Sequence, residues 1–78
     1  MQAQQFKRIF SANLRHYRQQ SQFTQMVLAA KADTDHRYIQ KLEAGEQIPS
    51  VLIAYRLADA LGITVDDLCR DQKLSKNQ

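Results

Sequence analysis

The sequence predicts an all-α fold: five compactly packed helices in one domain over residues 1–69, followed by a polar, flexible tail over 70–78. Three observations predict it. Apolar residues recur every three or four positions with almost no alternation of period two, which is the helical signature. Residues that open or close helices fall between the apolar stretches. The 78 residues, 44% hydrophobic and 24% charged, have the length and balance of one domain with one core.

Taken in order, Phe6, Ile9, Phe10, Leu14 and Tyr17 form one stripe of a first helix that ends near Gln20. A second, short helix runs from about Gln25 to Ala32, with Thr24 as its N-cap and Leu28, Ala29 and Ala32 on its inner face. Asp33-Thr34-Asp35 then breaks the pattern. Asp33 tolerates a left-handed backbone, and Asp35 suits the N-cap of a third helix, His36 to Ala44, that stops at Gly45. Pro49 and Ser50 open a fourth helix with Val51, Ala54, Leu57, Ala58 and Leu61 inward, ending before Gly62. Thr64 and Asp67 have capping-box spacing and start a short fifth helix carrying Val65 and Leu68.

Several function classes are excluded by what is missing. One cysteine, Cys69, and two distant histidines, His16 and His36, make no zinc site and no internal disulfide. Gly45 and Gly62 form no phosphate loop, and Ser21, Ser50 and Thr64 stand in no nucleophile motif. No enzyme activity, catalytic residue, metal or cofactor is therefore expected. With no apolar run of membrane-spanning length and no export signal, the expected location is the cytoplasm. Eleven basic residues against eight acidic ones, a net charge of +3, lean towards an anionic partner.

The third helix carries the main functional signal. Ile39 and Leu42 share one side and pin it to the core, while Arg37, Gln40 and Lys41 share another, with His36 beside them at the start. Arg and Lys can donate to guanine O6 and N7, and Gln can pair with adenine N6 and N7 in a major groove. A short turn between two helices is the helix-turn-helix arrangement that presents such a face. One feature opposes it. From Ala32 to Gln47 there are two basic residues and four acidic ones, a local net of −2.

The run from Leu14 to Leu68 resembles the phage-repressor and Cro-like (XRE) helix-turn-helix family. The matching pieces are Leu14-Arg15-His16-Tyr17-Arg18, Thr24-Gln25, Leu28-Ala29, Tyr38-Ile39-Gln40-Lys41-Leu42-Glu43-Ala44-Gly45, Pro49-Ser50, Leu57-Ala58-Asp59-Ala60-Leu61-Gly62-Ile63 and Asp67-Leu68. The resemblance implies a sequence-specific transcriptional regulator on double-stranded DNA, acting as a symmetric homodimer on a palindrome. It implies base contacts by His36, Arg37, Gln40 and Lys41. Phosphate contacts are implied for Thr24, Gln25 and Tyr38 and for Gly45 and Gln47 in the following loop. Two readings of Tyr38 stand, a hydroxyl on phosphate or packing against the second helix. Arg18 and Glu43 match a buried ion pair of several relatives, which would turn Glu43 inward and ease the charge objection. Arg15 and Lys31 are placed on outward faces, either positioning the DNA backbone or as solvated charges.

The departures from the family pattern concern the turn and the surface. Asp33 and Gln22 stand where glycine is usual, and Thr34 where an aliphatic is usual. Met26 and Val27 put apolar atoms on the second helix, and Leu52, Ile53 and Tyr55 on the fourth, with Ile53 expected to widen the core contact. Leu52, Tyr55 and Val65 are the candidates for a dimer surface. The alternative function is a protein-interaction module of the same fold, antitoxin-like or bridging, that docks a protein partner and contacts DNA secondarily. Asp35-His36-Arg37-Tyr38-Ile39 looks like the restriction-controller subgroup.

Overall fold

Local capping chemistry sets where each helix begins and ends. The computed structural model describes residues 1–72, which form α1 (Ala3–Gln20), α2 (Gln25–Lys31), α3 (His36–Glu43), α4 (Val51–Leu61) and α5 (Val65–Cys69). The Thr24 hydroxyl accepts from the Val27 N–H at 3.0 Å, and Ser50 does the same for Ile53 at 3.1 Å. Thr64 and Asp67 close a full capping box, each side chain accepting the other's backbone N–H at 3.0 Å. At the C-terminal ends the chain turns through left-handed residues: Gln22 (φ 62°) after α1, Asp33 (φ 54°) after α2, Gly45 (φ 74°) after α3 and Gly62 (φ 71°) after α4. Two of these are not glycine and carry the steric cost of that region.

One expected cap is absent. Asp35 has the extended backbone of an N-cap, but its side chain makes no capping bond to α3. Asp35 borders the same depression as Arg37 and Lys41.

The helices meet around Phe10, Leu14, Leu28, Ile39, Leu42 and Leu57, with Leu68 closing the core from α5; all seven are at most 1% exposed. Full burial of such a side chain contributes roughly 1.5–3 kcal/mol. The helix α1 packs against α3 and α5, α2 against α3 and α4, and α4 against α5. Ile53 is half-buried against this core. Val51, expected on the inner face, is 85% exposed. It is the first residue of α4, and Cα–Cβ bonds tilt towards a helix N-terminus, so its side chain overhangs the packed layer.

A polar clamp joins the two ends of the described chain. Asn13, 2% exposed, donates from Nδ2 to the Leu68 carbonyl at 2.9 Å and to the Arg70 carbonyl at 2.8 Å. These satisfy acceptors at the C-terminal end of α5, where the helix has no further N–H to offer. The Tyr17 hydroxyl donates to Gln72 Oε1 at 3.2 Å, and Gln72 Nε2 donates to the Asp67 carbonyl. The expected polar tail thus begins with residues tied to α1 and α5; residues 73–78 of it lie outside the described residues.

Replacing Asn13 by Ala strands the two carbonyls and is expected to cost about 1–3 kcal/mol, read as a lower urea midpoint at unchanged slope. Asp67 gives a pH-dependent expectation. The Thr64 backbone N–H, then its hydroxyl, hold the Asp67 carboxyl below its ordinary value. Its contribution is therefore full above about pH 4 and is lost as pH falls through the lower folded value. Asp67→Asn is expected to flatten that part of the acid limb when midpoints are plotted against pH.

Candidate nucleic-acid interface

The short helix α3 is buried on one side by Ile39, Leu42 and Glu43, at 0%, 1% and 4% exposure. Arg37, Gln40 and Lys41 stand exposed on the remainder, with His36 half-buried at the first position. Arg37, Tyr38 and Lys41 join Asp35 and Gln47 around an open depression of about 290 Å³, so α3 and the loop after Gly45 share one surface. His36 and Gln40, one helical turn apart, lie on the flank opposite Tyr38 and do not line it. Tyr38 is half-buried against the core while its edge borders the depression. Gly45 is required by its φ rather than by space, since an added Cβ would come no closer than 3.8 Å to Ser11 Oγ.

Beneath this surface, three side chains from α1 and α2 converge on Glu43. Arg18 Nε donates to Oε2 at 2.6 Å and Nη2 to Oε1 at 3.0 Å, while Nη1 donates to the Phe23 carbonyl at 2.9 Å. The bonds to Glu43 hold the Arg18 guanidinium above its ordinary pKa against the opposing effect of burial, with the Glu43 charge adding to them. Gln25, at the first position of α2, donates from Nε2 to Glu43 Oε1 at 3.1 Å. Arg15 donates from Nη2 to the Glu43 carbonyl at 2.7 Å, and its Nε lies 3.8 Å from Oε1. Glu43 therefore faces inward, and its charge does not belong to the surface of α3.

The sequence alone brings neither Arg15 nor Gln25 to Glu43. Arg15 is exposed, as the sequence places it, and being three residues from Arg18 on α1 it also reaches the same carboxylate. That spacing was the available signal. Lys31 sits with its ammonium 5.1 Å from the centre of the Phe23 ring, a cation–π contact that braces the end of α2. Thr24 is exposed and its hydroxyl is used in the cap.

Away from the polar face, Val51, Leu52 and Tyr55 on α4 are 55–85% exposed, and Ile48 in the loop before it is 48% exposed. Val65 is half-buried against the core. Met26 and Val27 are exposed on α2. Cys69 is half-buried, and burial, then the Asp66 charge, push its thiol up in pKa, the opposite of an activated nucleophile. Among the described residues no helix is long and apolar enough to cross a membrane.

Comparison with known proteins places these elements in context. The family model described as helix-turn-helix matches residues 14–68. An uncharacterized HTH-type transcriptional regulator of Sinorhizobium fredii is 29% identical over 58 residues, covering 74% of this chain and 75% of that protein. The crystal structure of the restriction-modification controller protein C.AhdI from Aeromonas hydrophila superposes with a TM-score of 0.77 at 29% identity, over 80% of this chain and 94% of that one. A hypothetical transcription factor of Neisseria shares the fold with a TM-score of 0.85 at 20% identity, over 96% and 86%.

Because Arg18 and Glu43 are largely withdrawn from water (14% and 3% side-chain exposure), deleting either alone removes the chief partner of the other. Arg18→Ala or Glu43→Ala is expected to lose ~3–5 kcal/mol of unfolding free energy, and the joint Arg18→Met, Glu43→Leu replacement to recover much of it. Chemical denaturation of the three variants checks this.

Proposed function

The chain belongs to the helix-turn-helix family over residues 14–68, it is a DNA-binding transcriptional regulator, and we propose that it reads the major groove through α3 as a symmetric dimer. The observation that carries the reading is the division of α3 between two buried aliphatics, Ile39 and Leu42, and an exposed face of Arg37, Gln40 and Lys41. A helix pinned on one side can present the other at fixed depth in a groove.

In this reading Arg37 and Lys41 donate to guanine edges, and Gln40 and His36 read the neighbouring pairs from the other flank. Thr24, Gln25, Tyr38 and the loop from Gly45 to Gln47 hold the backbone and fix the register. One short helix reads few base pairs, so two copies act on half-sites about 34 Å apart. The exposed Leu52 and Tyr55 support a contact between copies, with Val65 at its margin. The place of action is the cytoplasm.

A docking module for a protein partner is the competing reading, and the exposure of Met26 and Val27 is what favours it. In vitro selection from random duplexes at a stated salt concentration separates the two. Enrichment of a two-fold symmetric site supports the dimeric reader. A folded protein that enriches nothing supports the docking module. On the selected site, Arg37→Ala or Lys41→Ala is expected to weaken binding by ~1–3 kcal/mol and to relax preference at one position, measured by anisotropy titration. Unchanged site preference in the double variant would remove these two as base readers.

A further inference from the structure

Two arginines on α1 share the single Glu43 carboxylate, and the protein treats them differently. All three guanidinium nitrogens of Arg18 have acceptors within the chain, and its side chain is 14% exposed. Arg15 is pinned by one terminal nitrogen to the Glu43 carbonyl, with its Nε at 3.8 Å from the carboxylate, and its side chain remains 51% exposed. One carboxylate offsets one guanidinium, so a full positive charge is left over, fixed in position and open to solvent. A guanidinium carries five N–H donors, which leaves Arg15 several beyond those aimed at Glu43.

Gln25 stands on the same carboxylate oxygen. Its Nε2 donates one hydrogen to Glu43 Oε1 and keeps a second. Arg15 Nε and Gln25 Nε2 thus both lie within 4 Å of one atom, close enough for both side chains to reach one phosphodiester group. The geometry points to Arg15 as a DNA-phosphate ligand that grips one phosphodiester jointly with Gln25, both side chains being oriented by Glu43. This rests on the DNA-reading function proposed above, decides between the two readings of Arg15, and gives Gln25 a partner. It also locates positive charge beside the segment from Ala32 to Gln47, whose own balance is negative. An ordered arginine loses less freedom on binding than a mobile one, and its planar fork suits a phosphate.

The test uses the full chain with a short duplex of arbitrary sequence. Anisotropy titrations over a series of potassium chloride concentrations give the slope of log K against log salt for wild type, Arg15→Gln and Arg15→Lys. Arg15→Gln is expected to bind several-fold more weakly, with a slope shallower by about 0.9, and to leave the ranking of different duplexes unchanged. Arg15→Lys keeps the wild-type slope. In parallel, the arginine Nε–H resonances of the wild type are followed as duplex is added; Arg15 is expected to shift and Arg18 to stay. An unchanged slope in a folded Arg15→Gln protein, or an unmoved Arg15 resonance while α3 amides shift, overturns the assignment and leaves the DNA reader standing. The resonance experiment decides the matter if Arg15→Gln does not fold. A wild type that binds no duplex, with α3 amides unmoved, overturns both.

Discussion

The carboxylate of Glu43 is the constraint on which the arrangement of α1, α2 and α3 depends. A buried carboxylate without partners costs several kcal/mol, and this one finds them on two other helices: Arg15 and Arg18 from α1 and Gln25 from α2. The helices α2 and α3 have seven and eight residues, well short of the length at which a helix holds together alone in water. Their direction comes from packing and from this cluster. With Ile39 and Leu42 buried on the same side as Glu43, no rotation of α3 satisfies the carboxylate and still hides Arg37 or Lys41. The face offered to a partner is thus set from beneath.

What the sequence made legible was what neighbouring residues encode. Helix order, the caps at Thr24, Ser50 and Thr64, and the turns at Asp33, Gly45 and Gly62 all follow from periodicity and local backbone chemistry. The exposed polar face of α3 was legible for the same reason, since Ile39 and Leu42 fix its rotation. Asp35 shows the limit. Its backbone obeys the capping rule while its side chain makes no capping bond, so residue type at a cap position does not by itself decide the contact. Val51 shows another, because periodicity gives direction around a helix but not where the core ends along it.

Contacts between distant segments were the least legible. Asn13 sits in the apolar stripe of α1 between Phe10 and Leu14, and only the folded chain reveals that its carboxamide serves carbonyls 55 and 57 residues away. Arg15 and Gln25 look like ordinary surface residues until Glu43 is placed between them. Spacing tells which residues share a face of one helix; it carries no identity for the partner on another. An asparagine within an apolar stripe is nonetheless a usable sign, since a buried carboxamide must find acceptors somewhere.

The distribution of charge bears on how a reader of this kind discriminates. The segment from Ala32 to Gln47 carries Asp33, Asp35 and Glu46 at its surface beside Arg37 and Lys41, so it attracts phosphates weakly by itself. Sequence-independent affinity for DNA comes almost wholly from phosphate neutralisation. Under the proposed reading, a domain whose reading helix contributes little to that term would depend on the basic residues of α1 for encounter and on base contacts for residence. One copy then dissociates readily from arbitrary duplex. In the dimeric reading proposed above, two linked copies would gain the second half-site at a high effective concentration, and only a site that satisfies both faces would hold the pair. Modest attraction per domain is in that sense a source of selectivity, because competing genomic sites vastly outnumber the operator.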